Sequence, residues 1–241
     1  SIIIPAKNEE ETLPLLLDSI RKQGISKKDL EIIVADSHST DKTRKIAKQY
    51  DCIIVDGGMP GYGRNRGADV ARGDVLVFKD ADGPLPPNFL IPSLKEFNER
   101  ELDVAGTLTY VLTSKDGFAR LRYKLWIEFF ANRTMQKAEN TTSPLMMTCM
   151  FAKRRVHEAI RGFDESLEFG EDSEYAKRTK RKGYNFGLVK SAGPVGFNVR
   201  RAEGSFLNEL KWLLKNVYFT TGRRLGHEFI RGKSWVKYWE S

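Results

Sequence analysis

Residues 75–82 read Val-Leu-Val-Phe-Lys-Asp-Ala-Asp, and the fold turns on how this stretch is taken. The apolar run Val75-Leu76-Val77-Phe78 predicts a short buried strand. Residues two apart on an extended backbone point the same way, so Asp80 and Asp82 beyond the strand are expected to face one spot. Two like charges held together are costly unless a cation or a proton sits between them. Hard carboxylate oxygens suit magnesium or manganese carrying a diphosphate. The competing reading is an acidic loop that turns at Asp82-Gly83-Pro84.

Outward from this strand, short apolar runs alternate with amphipathic ones. Strands are predicted at residues 2–4, 31–35, 52–55 and 75–78, and helices at 10–22, 41–50 and 65–71. Leu13, Leu16, Leu17 and Ile20 recur at helical spacing. Such alternation predicts an α/β chain, a Rossmann-like, mostly parallel sheet with helices on both faces. In open parallel sheets, ligands bind beyond the carboxyl ends of the strands. Lys7, Asn8 and Glu9, then Asp36 and Ser37, then Asp80 and Asp82 follow three separate strands there. No GxxxxGK[ST] occurs. Residues 61–67 (GYGRNRG) place their third glycine one residue late for a dinucleotide fingerprint, and their glycines read as permitting a tight loop.

A chain of 241 residues with 40% hydrophobic content supports one ordinary domain, or one domain with a tail. Cys52 and Cys149 form no CxxC pair, which points to a reducing, cytoplasmic setting and against structural zinc. No signal peptide or membrane-length apolar run is visible; the chain opens on Ser1 without a methionine and reads as trimmed. A net charge of +8 suits nucleic acid, an anionic membrane surface or phosphorylated substrates. A thermophile's charged surface would also explain it.

Residues 1–10 (SIIIPAKNEE), 31–43 (EIIVADSHSTDKT), 63–74 (GRNRGADVARGD) and 75–90 (VLVFKDADGPLPPNFL) together resemble glycosyltransferase family 2. Residues 162–167 (GFDESL) and Glu171-Asp172, followed by Arg178 and Gly183, extend the resemblance to about residue 190. It implies a GT-A fold and sugar transfer from a nucleotide-diphosphate donor. By that resemblance, Pro5, Ala6, Asn8 and Glu9 lie under the base and ribose, and Asp36 accepts a hydrogen bond from one of them. Arg64 sits near the donor. Asp80, Ala81 and Asp82 match the DxD motif, with Asp82 a direct ligand of Mn2+ or Mg2+ and Asp80 touching ribose or metal. Asp172 matches the catalytic base, and inversion at the anomeric carbon is implied. Glu9, Asp36 and Asp172 also lie where carboxylates favour helix starts and turns for structural reasons alone. Asp36 is followed by Ser37-His38 instead of a second acid. Residues 197–201 (FNVRR) lack the family's frequent histidine, and no QxxRW-like segment occurs.

Residues 1–195 are expected to form the catalytic domain, with 1–100 binding the nucleotide and 101–195 shaping the acceptor side. Strands are predicted at 102–110, 148–151 and 186–189, and helices at 118–132, 154–160 and 171–182. Residues 196–241 read as a basic, aromatic-rich tail with an amphipathic helix at 206–218. There Lys211 and Lys215 interleave with Leu210, Trp212, Leu213 and Leu214. The tail suits a membrane surface, and hence the cytoplasmic membrane face and a polyprenyl-phosphate or glycan acceptor. It also suits a helix packed on the catalytic domain with a solvated basic side, and the two readings are compatible. The rival functions are a sugar nucleotidyltransferase, and a membrane- or nucleic-acid-binding module acting through the tail. The nucleotidyltransferase lacks its glycine-rich basic signature after the first strand. No recognised nucleic-acid motif appears, so nucleic acid is not expected as a partner.

Overall fold

A computed structural model describes residues 1–112, 132–139, 147–167 and 170–198. The tail helix at 206–218 and the amphipathic helix predicted over 118–132 fall wholly or almost wholly outside these residues.

Strand β1 (Ile2–Ala6) is buried along its whole length, as its unbroken apolar run requires. It pairs in parallel with β2 (Ile32–Asp36) on one side and β4 (Val75–Lys79) on the other, and β3 (Ile53–Asp56) extends the edge beyond β2. Beyond β4 lie β7 (Cys149–Lys153), antiparallel to both neighbours, then β5 (Val104–Thr107) and β8 (Phe186–Val189). The seven strands run β3-β2-β1-β4-β7-β5-β8. Residues from both predicted halves of the catalytic region therefore share one sheet. A two-stranded sheet joins β6 (Thr109–Val111) to β9 (Val195–Phe197).

Side chains alternate between two cores, as the period of a strand dictates. Ile2, Ile4 and Val77 face the core containing Leu13, Leu16, Leu17 and Ile20 of α1 (Leu13–Arg21). Ala47 of α2 (Thr43–Gln49) and Leu90 and Phe97 of α4 (Leu90–Glu99) join the same core. Ile3, Leu76 and Phe78 face the other core. It takes Met135 from α5 (Asn132–Ala138), Val156 and Ile160 from α6 (Arg154–Ile160), and Tyr175 and Ala176 from α7 (Glu171–Arg181).

Several elements differ from expectation. Helix α3 spans Pro60–Val70 and absorbs the glycine-rich stretch read as a loop. Pro60 presets the first turn. The glycines serve close packing: a Cβ on Gly67 would collide with the Ile3 side chain, and one on Gly63 would lie 3.4 Å from Ala35 and 3.5 Å from Pro5. The strand predicted over 102–110 breaks at Leu108 and feeds two sheets. Helices α4 and α5 and strand β9 lack a sequence expectation; Leu90, Phe97, Met135 and Val195 bury the apolar faces that fix them.

Candidate active site

The loops after β1 and β2 are laced together. Asn8, in the left-handed region at φ 52°, accepts the Thr40 N–H (2.9 Å) on Oδ1, and its own N–H reaches Ser39 Oγ (2.9 Å). Glu9 is fully buried; its N–H donates to Thr43 Oγ1 (2.7 Å), and its carboxylate accepts the Thr12 hydroxyl. Pro5 and Ala6 end β1 beside Ala35 and Asp36. Asp36 is buried, with Oδ2 paired to Arg44 Nη1 (3.2 Å) and Oδ1 buried without a hydrogen bond. Asp56 shares the same guanidinium at 3.3 Å. A buried carboxylate oxygen with no donor is the kind of group a ligand N–H or hydroxyl satisfies.

Beyond β4 the backbone turns over residues 81–83, so extended alternation does not continue past Lys79. The Ala81 methyl turns into the α1 core instead. Each acid has a buried cation near it. Arg64 Nη2 binds Asp80 Oδ1 at 2.8 Å, and Lys79 Nζ lies 3.9 Å from Asp82 Oδ1. Asp80 keeps 31% of its side chain exposed, open to a ligand.

Arg64 joins the two ends of the site. Its Nη1 meets Glu171 Oε1 at 2.5 Å, a pairing across 107 positions of sequence. Burial alone would lower its pKa; Asp80 and Glu171 outweigh that and raise it, so it stays charged. Its guanidinium also lies over the Phe163 ring, 5.3 Å from the centroid.

Asp172 follows in the first turn of α7, where the helix dipole favours carboxylates. Oδ2 accepts the Met147 N–H (2.6 Å) and Oδ1 its neighbour Ser173 N–H (2.7 Å). Burial, then the charge of Glu171, push its pKa up to about 7. A carboxyl poised there exchanges protons near neutrality, as general-base work requires.

Two supports had no role assigned from the sequence: Asn65, and Arg178, which entered only as a residue of the resemblance. Asn65 accepts the Phe163 N–H (2.8 Å) and donates to the Phe163 carbonyl (3.0 Å) and Glu165 Oε1 (2.8 Å). A polar residue on the inner face of α3 is its only signal, and that needs the helix start at Pro60. Arg178 forks onto Glu174 and reaches the Ile160 (2.6 Å) and Gly162 (2.7 Å) carbonyls, fixing the turn ahead of residues 163–167.

His157 anchors the layer beneath. It is buried among Phe78, Phe163 and Tyr175, its Nδ1 3.0 Å from the Tyr175 hydroxyl. Burial, then Arg178, lower its pKa to about 4. A depressed histidine pKa means the unfolded chain binds the proton more tightly. Its contribution is therefore complete above about pH 6.5 and drains away as pH falls toward 4, by roughly 3 kcal/mol in all. Urea unfolding across that window should show the loss, and His157→Gln should flatten the slope; an unchanged slope would place the acid sensitivity elsewhere.

Asp80 and Asp82 are the hard oxygen donors a divalent ion takes, yet among the described residues no group of three or more His, Cys, Asp or Glu could hold a metal. The pair therefore fits an ion that brings further oxygens from a diphosphate, and does not make a complete protein cage. Also among the described residues, no helix is long and apolar enough to cross a membrane.

The model for the family described as "Glycosyl transferase family 2" matches residues 1–161. Glycosyltransferase AglE of Haloferax volcanii is 26% identical over 217 residues, covering 87% of this chain and 69% of its own length. Among solved structures, S. aureus TarS 1–349 in complex with UDP-GlcNAc superimposes with a TM-score of 0.64 at 21% identity. That match covers 85% of this chain and 59% of the TarS chain. The mannosyltransferase PcManGT of Pyrobaculum calidifontis, with GDP-Man and Mn2+, gives 0.62 at 20%, covering 81% and 55%. These chain likenesses establish a shared GT-A fold, and this chain spans less than two thirds of either solved chain.

Proposed function

Because this chain belongs to glycosyl transferase family 2, we propose that it transfers a sugar, with inversion, from a nucleoside-diphosphate sugar to an acceptor hydroxyl or phosphate. The observation that carries the reading is Arg64, which ties the donor-side Asp80 to Glu171, the neighbour of Asp172. Acids from two distant segments are thereby gathered at one end of the sheet. That is the arrangement needed to hold a diphosphate and activate an acceptor together.

In this mechanism, Pro5, Ala6, Asn8 and Glu9 form the floor under the base and ribose, and Asp36 Oδ1 accepts from a donor N–H or hydroxyl. Asp80 and Asp82, spaced by Ala81 at the diphosphate end of the donor, would hold a divalent ion, Mn2+ or Mg2+, which would neutralise charge on the departing phosphates. Arg64 works from below, orienting Asp80 and Glu171. Asp172 takes the acceptor proton as the acceptor oxygen bonds to the anomeric carbon. The bond from that carbon to the diphosphate oxygen breaks, and the nucleoside diphosphate leaves with the electron pair. The developing positive charge on the sugar is of the oxocarbenium kind. The acceptor proposed is a glycan or polyprenyl phosphate, reached at the cytoplasmic face of a membrane.

A thermal-shift panel of UDP-, GDP- and dTDP-sugars, with and without Mn2+, tests the donor side. One nucleotide at about a hundred times its Kd should raise Tm by roughly 5–10 °C in the presence of Mn2+. Asp82→Ala should abolish the metal-dependent part. No shift with any donor, in wild type with metal, would sink the donor reading.

A further inference from the structure

Lys79 closes β4, and its side chain has no exposed surface at all. Full burial of a lysine is rare without a partner. By strand alternation Lys79 follows Val75 and Val77 on the α1 side of the sheet, whereas α3, which carries Arg64, packs on the opposite side. Two buried cations thus approach the acidic pair from the two faces of one sheet. Across the sheet Lys79 is paired with Cys149, whose thiol burial pushes up to about 12, so it stays neutral and supplies no countercharge. The ammonium instead donates to the Asp80 carbonyl (2.7 Å) and faces Asp82 Oδ1 (3.9 Å).

A fixed positive charge there acts with opposite sign on two ligands. A bare divalent cation at Asp82 is repelled by it. A divalent cation already bound to a free nucleoside diphosphate is net negative, because the ionised phosphates carry one more charge than the ion neutralises, and is attracted; its complex with a nucleotide sugar is neutral and escapes the repulsion. We propose that Lys79 is a positioning and selectivity residue that makes the acidic pair reject free metal and accept the metal–nucleotide complex. This rests on the donor-site reading above, and adds to it that ion and nucleotide bind as a unit.

The test is Mn2+ binding by electron paramagnetic resonance, alone and with UDP or GDP, on wild type, Lys79→Met and Lys79→Gln. Methionine keeps the apolar stem without charge, and glutamine also keeps a hydrogen-bond donor for the Asp80 carbonyl should the methionine variant fold poorly. Both variants should bind Mn2+ alone about tenfold tighter, and bind nucleotide at saturating Mn2+ about tenfold more weakly. A lysine that only supports the fold would shift both affinities in one direction. That result, or either affinity staying within twofold of wild type, overturns the proposal. Failure of the donor reading shows separately, as wild-type protein that takes up neither nucleotide with Mn2+.

Discussion

Asp172→Asn should bind the donor as wild type does and lose transfer by about 10²–10⁴-fold, the span a positioned general base supplies. The substitution keeps shape and removes basicity. One asparagine oxygen can still accept a backbone N–H, of the two that Asp172 accepts from Met147 and Ser173. The pH dependence separates catalysis from support. Wild-type kcat/KM should rise with pH through about 7, where Asp172 gives up its proton, and the residual activity of the variant should lack that limb. Stability should move the other way. Because folding raises this pKa above its usual 3.8, the native state holds the proton more tightly, and wild type loses stability as pH rises from about 4 to 7. The asparagine variant escapes that loss, so its relative Tm should be highest above neutrality. A variant that loses donor binding and melts early at every pH would make Asp172 a structural residue.

The second large effect is expected at Arg64. Arg64→Met leaves Asp80 and Glu171 facing each other across an apolar stem, with Asp172 close by. Removing one partner from a buried ion pair costs about 3–5 kcal/mol, because the charges left behind are uncompensated. Urea unfolding at pH 7.5 should register that loss. Arg64→Lys should recover only part of it, since one ammonium cannot span both carboxylates as the guanidinium fork does. Lowering the pH toward 4 should shrink the deficit of the methionine variant as the freed acids protonate. A deficit below about 1 kcal/mol, within the range of exposed ion pairs, would mean that Arg64 is not the tie between the two halves of the site.

The placement of the acids was legible because it depends on local rules. An apolar run marks a strand, its carboxyl end marks a ligand edge, and Asp36, Asp80 and Asp82 each stand just past such a run. What the sequence could not display were partners chosen by the fold. Arg64 reads as a cation near a diphosphate, yet its burial and its pairing with Glu171 arise only when α3 lies flat on β1. That in turn depends on Gly63 and Gly67 being packing surfaces, which their loop-like spacing conceals. Lys79 carries no local mark beyond its place at the end of a strand, and Asn65 none beyond the start of a predicted helix. Charge partners more than a hundred positions apart leave no periodicity to read.

The antiparallel strand β7 has a consequence for how the chain matures. It fills the slot between β4 and β5, yet it is made after both, at residues 149–153. As the polypeptide leaves the ribosome, β1 to β4 can assemble early, since their pairings are confined to the first 79 residues. One flank of β4 then stays an open edge, with bare amide and carbonyl groups, until the late strand arrives. The acids at the tip of β4 sit on that unfinished margin, where the Asp80 N–H waits for the Thr148 carbonyl at 3.2 Å. The acidic end of β4 is thus among the last parts to set during synthesis, and the nascent chain is most open to wrong strand partners while it waits.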